Sequence, residues 1–438
     1  MMSGRLRWPV ALVCVGSVGL VLSACSSSHK AASTGTTAAA GAAGSSGTTV
    51  AASGTVIPIG IIESQTNPAV PGKVTLGTDT VTAWVDWTNA HGGIGGHPVK
   101  LYSANDNNDP AQAQSVLTNM ISNDHIVALV GQNASGTQPT WDKLLSDAGV
   151  PVIGGPSYTT DYNTNPDLYS TQSTVETAVY GGEYVVKKEG YTKQALLQCN
   201  NSSVCVAAVP LIKFGAQSLG LDMVFAQTAS TTATDYTAQC LAMKQAGAQV
   251  VEPTVNDQLL AANCKTQGYT PVYLNADDSF TAAEIKSTPE FEGSLGFRQS
   301  FPTSQQFPQT AEYFQAMQQY EPAYMGSGSK AFQNQSGQVS ASSWSGAYVF
   351  GEGVANANVP ANQPVTAADV KRGLAMIPQG STNNGYTPPV YYGNGTTTPE
   401  KAVNCFWIDK IVNGQYQLIG DLNSVATQCE PTNLLHFK

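Results

Sequence analysis

From residue 55 onward, apolar runs of strand length alternate with stretches of helical periodicity. Val56 to Ile62 is almost continuously apolar, the pattern of a strand buried on both faces, and Val74, Val81, Trp84, Val85 and Thr88 then mark one face of a helix. The glycines between His91 and Gly96 stop it. Val99 to Ser103 reads as a second strand; the helix that follows runs through Ile121, with Asp109 as N-cap and Pro110 in the first helical position. Ile126 to Val130 is a third strand. The alternation continues with helices over Pro139 to Asp147, Glu176 to Lys188, Val206 to Ser218, Tyr236 to Gln245 and Asp257 to Thr266. Strands fall between them at Val152 to Gly154, Ala195 to Cys199, Asp222 to Ala226, Gln249 to Glu252 and Pro271 to Leu274. Such a sequence predicts an α/β protein whose parallel sheets are covered by helices on both faces. Beyond Phe301 come helices around Thr310 to Tyr320, Val339 to Asn356 and Thr366 to Met376, then a Gly, Thr and Pro rich loop from Gln379 to Pro399. Val403 to Ile411 and Tyr416 to Gly420 read as a hairpin turning at Asn413 and Gly414.

The start of the chain has a different pattern. Arg5 and Arg7 precede an apolar run from Trp8 to Leu22, a secretory signal too short for a comfortable membrane span, and Leu22, Ser23, Ala24, Cys25 resembles a bacterial lipobox. That resemblance implies removal of residues 1–24 and lipidation at Cys25, hence an extracytoplasmic protein held to the outer face of the cell membrane by a lipid anchor. From Ser26 to Gly54 every residue is Ser, Thr, Ala or Gly except His29, Lys30 and Val50, a composition that cannot bury enough apolar surface to order itself. Residues 25–54 are expected to be a disordered tether.

Composition narrows the function. Only 11% of the 438 residues are charged and the formal net charge is -10, so no cationic face is available to displace counterions from nucleic acid. Outside the signal and Cys25 stand six cysteines, Cys199, Cys205, Cys240, Cys264, Cys405 and Cys429. An even number in an exported chain reads as disulfides. Zinc is the competing reading, but there is no CxxC pair, and the only imidazoles are His29, His91, His97, His125 and His436; no metal or other cofactor is expected. Pairing by neighbours, Cys199 with Cys205, Cys240 with Cys264 and Cys405 with Cys429, is the expected connectivity. The middle pair has the clearest reason, because its cysteines fall in successive helices separated by one strand.

Ile57 to Pro110 resembles the opening of the branched-chain amino acid and amide binding proteins, the type I periplasmic binding proteins that feed ABC importers. The likeness rests on the turn with Pro68, Pro71 and Gly72 after the first strand, on Asn89-Ala90-His91-Gly92-Gly93-Ile94-Gly95-Gly96, on Pro98-Val99-Lys100-Leu101-Tyr102 and on Asn105 to Pro110. Val130 to Pro139 and Gly149 to Ser157 resemble the two ligand-contacting loops of that family. The resemblance implies two doubly wound parallel-sheet lobes joined by a three-crossing hinge, with a small ligand enclosed between them. Crossings near Thr174, Ser300 and Pro399 would give lobe 1 residues 55–174 and 301–399, and lobe 2 residues 175–300 and 400–438. The partners implied are an amino acid or amide and the permease and ATPase subunits of an importer. A sensory receptor that kept the fold without transport is the alternative.

Open α/β sheets bind ligands outside the carboxyl ends of their strands, so the candidates stand on the loops that follow strands. Ser135 and Thr137 offer hydroxyls and backbone N–H groups for a carboxylate, as the matching loop does in the family, Ser157 and Thr159 supply the same kind of group, and Tyr158 could line a side-chain pocket; ordinary Ser/Thr turns and a tyrosine packed on the surface are the competing readings. On the other lobe, Asp277 or Asp278 would meet an ammonium group, or cap the helix near Thr281 instead, with Asn201 and Asn256 as further polar candidates. A hydrolase is disfavoured. No GxSxG occurs, Gly155-Pro156-Ser157-Tyr158-Thr159 failing at its last position, and His91 and His97 beside a glycine turn, His125 before a strand and His436 in the tail read as surface residues rather than as a general base.

Overall fold

The computed structural model describes residues 51–65, 75–173, 175–200, 203–276, 279–325, 337–392, 405–419 and 428–429. The export signal, Cys25, most of the expected tether, Asn201, Asp277, Asp278 and the crossing points at Thr174 and Pro399 lie outside these residues. The Gly54 N–H donates to Gly96 O at 3.0 Å and that of Thr55 to Ala361 O at 2.8 Å. A Cβ on Gly54 would stand 2.5 Å from Ala361 O. Gly54 and Thr55 are thus tied by their backbones to the folded body.

The first part of the chain runs β1 (Ile57–Glu63), α1 (Leu76–Ala90), β2 (Val99–Asn105), α2 (Pro110–Ser122), β3 (Leu129–Val130), α3 (Asp142–Asp147), β4 (Val152–Ile153) and β5 (Leu168–Tyr169). Its strands form one sheet in the order β2-β1-β3-β4-β5, every pairing parallel. The middle part runs α4 (Val175–Lys188), β6 (Lys193–Cys199), α5 (Ser203–Ser218), β7 (Asp222–Ala229), α6 (Thr237–Ala246), β8 (Val250–Pro253), α7 (Asp257–Thr266), β9 (Val272–Ala276), α8 (Ala282–Ser287) and β10 (Leu295–Arg298). These strands pair in parallel in the order β7-β6-β8-β9-β10, the same winding a second time. The last part supplies α9 (Ala311–Tyr320), α10 (Gly337–Ala357) and α11 (Ala367–Leu374), then β11 (Cys405–Val412), β12 (Gln415–Leu418) and β13 (Gln428–Cys429). β11 joins the second sheet antiparallel to β10, and both β12 and β13 pair with β11.

Alternation along β1 places the two faces of the first sheet. Ile57, Ile59 and Ile61 pack with Val81 and Trp84 of α1, Met317 of α9 and Phe350 of α10. Ile62 points the other way, into a core with Leu117 and Met120 of α2 and Leu145 of α3. In the second sheet Ala195, Leu197 and Val251 face α6 and α7, whereas Leu274, Leu295 and Phe297 face α4. Both sheets are thus covered on both sides, which explains why their strands read as apolar runs rather than alternating ones. No helix of the described residues is long and apolar enough to cross a membrane.

Local signals decide most element ends. The Asp109 side chain accepts the Gln112 N–H, with Pro110 at the first position, and Asn413 and Gly414 turn the β11–β12 hairpin with φ of 54° and 74°. Cys199 is bonded to Cys205 and Cys240 to Cys264. Cys405 is also in a disulfide and lies directly opposite Cys429 in the β11–β13 ladder. Three strands, β5, β10 and β13, lie where the sequence pattern predicts none. β5 is only two residues long; β10 is disguised by Gly296 and Arg298, and its arginine is buried against Asp409 of β11, with Nε 2.8 Å from Asp409 Oδ2. Gly296 makes room for that carboxylate, since a Cβ there would stand 2.0 Å from Asp409 Oδ1.

Candidate ligand-binding site

In each sheet the strand order reverses between the first and third strands, β1 and β3 in one and β6 and β8 in the other, and the carboxyl tips beside such a switch point form a natural crevice. At the first switch point β1 ends in Glu63, which is fully buried. Its carboxylate accepts the Gly77 and Thr78 N–H groups at 3.0 Å, the Thr78 hydroxyl at 2.6 Å and Asn133 Nδ2 at 3.1 Å. It fills the positive end of α1 from inside the protein and ties that end to the loop after β3. Burial raises its pKa; the hydrogen bonds from Thr78, Asn133 and Gly77 work in the opposite direction.

The loop after β3 is held by its buried side chains. Asp106 accepts the Asn108 N–H at 2.9 Å and the Thr137 hydroxyl at 2.5 Å, and Trp141 Nε1 donates to the same hydroxyl at 3.1 Å. Gln132 accepts the Ala134 N–H at 2.7 Å. Thr137, expected to meet a ligand, is buried with its hydroxyl engaged inside the lobe, where it fixes the loop that carries its neighbour. That neighbour, Ser135, is half-buried, and among the described residues neither its N–H nor its hydroxyl has a partner.

The loop after β4 is anchored in the same way. Gly154 and Gly155 have φ of 70° and 84°, and a Cβ on Gly154 would stand 2.4 Å from Gly346 Cα of α10. Ser157 is buried, donating its N–H to Gln172 Oε1 at 2.9 Å and sharing a 2.8 Å hydrogen bond with the Ser170 hydroxyl. Thr159 is half-buried and accepts from Gln138 Nε2 at 3.1 Å; Tyr158 beside it is half-buried as well. Ser135, Tyr158 and Thr159 therefore keep the more open positions, and Thr137 and Ser157 support them.

Gln172 reaches further. Its Nε2 donates to the Ser300 hydroxyl, Gln299 Nε2 donates to Ser173 O at 2.7 Å, and the Ser173 hydroxyl donates to Cys405 O. Three separate passages of the chain between the two sheets thus lie side by side and cross-linked. The Ser157 loop is one hydrogen bond from them. On the second sheet, Asn256 is exposed and caps α7, its side chain accepting the Leu259 N–H at 3.1 Å. The helix near Thr281 is capped by Thr281 itself in a capping box with Glu284, a role Asp277 and Asp278 are therefore not needed for. Asn275 at the tip of β9 accepts the Ser279 N–H at 2.7 Å and donates to the Tyr416 hydroxyl. The buried supports Glu63, Gln138 and Gln172 carry no motif; the one visible signal is a lone acid closing the apolar run of β1. His97 is buried, its ring nitrogens 2.8 Å from Thr55 O and 3.2 Å from Val359 O, which makes it a structural link.

A family model described as periplasmic binding protein matches residues 56–415, most of the folded body just described. The chain belongs to that family. An amino acid binding protein of Pseudomonas aeruginosa is 23% identical to this periplasmic binding protein over 214 residues, 46% of this chain and 54% of the relative, so the match spans about half of that relative's length. A branched-chain amino acid ABC transporter protein from Thermus thermophilus, solved with bound valine, superposes with a TM-score of 0.68 at 16% identity, covering 84% of this chain and 96% of its own. A solute binding protein of an ABC transporter from Rhodopseudomonas palustris, solved with p-hydroxybenzoic acid, gives a TM-score of 0.66 at 16% identity over 86% and 98% of the two chains. These likenesses establish the two-lobed type I fold; the ligands named belong to those proteins.

Proposed function

We propose that this periplasmic binding protein is the solute receptor of an ABC importer, a lipoprotein anchored through Cys25 that closes two lobes around a small polar solute bearing a carboxylate, such as an amino acid or amide. The observation that carries the reading is Ser135. An N–H and a hydroxyl with no partner among the described residues stand on a loop braced from below by Asp106, Thr137 and Gln132, at a switch-point tip where anions are met by amides. The valine and p-hydroxybenzoic acid of the two solved relatives both carry a carboxylate, which agrees with this choice of chemistry. In this reading Ser135, Tyr158 and Thr159 grip the carboxylate end. Asp277 or Asp278, with Asn201, receives the other end from the second lobe. The cross-linked passages at Gln172–Ser173, Gln299–Ser300 and Cys405 serve as the hinge, so that a filled cleft favours closure. No bond is made or broken, and the protein is not an enzyme.

The test is thermal unfolding against a panel of amino acids, amides and small aromatic and aliphatic acids. A solute at 100 times its dissociation constant adds about 2.7 kcal/mol to stability, a shift of a few degrees. Ser135→Ala and Asp278→Ala should each weaken the active compound at least tenfold; unchanged affinity in both would remove these residues from the site. A panel in which nothing moves the transition would remove the receptor reading.

A further inference from the structure

Gln138 is fully buried between the two tip loops, and Asp142 opens α3 immediately behind it. The Gln138 amide donates one N–H to Asp142 Oδ2 at 3.3 Å and the other to the Thr159 hydroxyl at 3.1 Å, so this one side chain joins the loop after β3 to the loop after β4. Among the described residues two buried atoms of the pair are left without a partner, Gln138 Oε1 and Asp142 Oδ1. Both are acceptors, and neither can satisfy the other unless a hydrogen stands between them. A carboxylic acid supplies that hydrogen. With Oδ1 protonated, the acid O–H donates to the amide carbonyl while the amide N–H donates to Oδ2, an acid–amide pair closed on both sides.

We propose that Asp142 is held as the neutral acid, its proton shared with Gln138, and that this proton braces the Ser135 and Thr159 loops against each other. The functional part of the proposal rests on the reading of those loops as the solute grip. The surroundings favour the neutral form. From the turn at 160–163 Asp161 faces Asp142 with like charge, and the Tyr162 phenol beside it donates to Gly154 O at 3.1 Å. The 137–140 turn carries no charged residue, nor does α2, which packs on α3. On α3 itself Lys143 pairs with Asp147 in solvent at 2.6 Å. Burial, with a smaller contribution from Asp161, pushes the Asp142 pKa up to about 7 against the hydrogen bond from Gln138. Because the folded value lies above the unfolded 3.8, the folded protein holds the extra proton between the two, and stability falls as pH rises through that window. Above it, a buried carboxylate with one unpartnered oxygen faces Asp161, and the brace between the loops is lost.

The test uses the solute-free full chain, so its outcome is independent of the solute panel. Urea unfolding is followed from about pH 5 to about pH 8 for the wild type, for Asp142→Asn, whose amide imitates the protonated acid, and for Asp142→Ala. Between about pH 5 and about pH 7 the folding constant of the wild type should fall about tenfold per pH unit relative to either variant, because only the wild type loses this proton. The slope is the readout, so a general loss of stability in Asp142→Ala does not obscure it. Hydrogen exchange at matched pH near 8 should show faster exchange of the amides of 134–138 and 157–160 in the wild type than in Asp142→Asn. Parallel pH profiles in wild type and variants would overturn the shared proton. A slope difference with equal exchange at both loops would overturn the brace.

Discussion

Replacing Arg298 by methionine tests how the second sheet is joined to its antiparallel edge. Arg298 and Asp409 are both buried, and Nε and Nη2 of the arginine stand 2.8 Å and 2.5 Å from the same carboxylate oxygen. Methionine keeps much of the aliphatic volume and removes the charge, leaving a desolvated carboxylate whose Oδ1 already has no partner among the described residues. Breaking a buried pair in this way costs about 3–5 kcal/mol, a large part of the about 5–15 kcal/mol that holds a domain together. Burial already raises the Asp409 pKa even against the attraction of Arg298. Without the arginine it rises further, and the carboxyl can escape its penalty by taking up a proton. The loss should therefore be largest near pH 8 and shrink toward pH 5, since a group with a raised folded pKa loses stability as pH rises. A second change, Asp409→Asn on the Arg298→Met background, should restore most of the loss: the amide has the shape of the acid, and the room beside Gly296 fits little else. Urea unfolding at the two pH values, with the double variant alongside, measures all of this. A loss under about 1 kcal/mol at pH 8, or an equal loss at pH 5, would refute the reasoning.

Two further changes separate other contributions. Cys240→Ser opens a bridge spanning 24 residues and Cys199→Ser one spanning 6, so chain entropy predicts losses of about 3.5 and about 2.2 kcal/mol in denaturant titrations, and the reverse order would speak against a loop-length origin. Gly154→Ala must push back the backbone of α10, whereas Gly149→Ala, at a similar φ of 71°, meets nothing within 4 Å; the first should lose about 2 kcal/mol more than the second, and equal losses would mean that α10 yields freely.

The winding of both sheets is legible because each strand is buried on two sides and each helix has one apolar face, patterns that need no knowledge of distant residues. The Asp109 cap and the Asn413–Gly414 turn are legible for the same reason. β10 is not, because a buried arginine looks like a surface residue until Asp409, 111 positions later, is placed beside it. The site divides along the same line. That hydroxyl-bearing loops follow β3 and β4 can be read directly, but which hydroxyls remain available cannot. Thr137 is taken by Asp106, 31 residues away, and the Ser157 N–H by Gln172, 15 away, leaving Ser135 as the open one. Glu63 has the opposite history: its four partners come from residues 14, 15 and 70 positions away, and nothing nearby announces them.

The interleaving of the two sheets has a bearing on how the chain matures. Gly131 and Gly154 are shaped to receive α10, and β10 is flanked by β11, yet both of those late elements are made only after the whole middle part of the chain. A growing polypeptide cannot complete either half as it emerges; each waits with an open side until residues near 350 and 410 arrive. Maturation is therefore closer to a single late docking event than to two domains finishing in turn. A truncation after β10 should leave both halves incomplete rather than one intact.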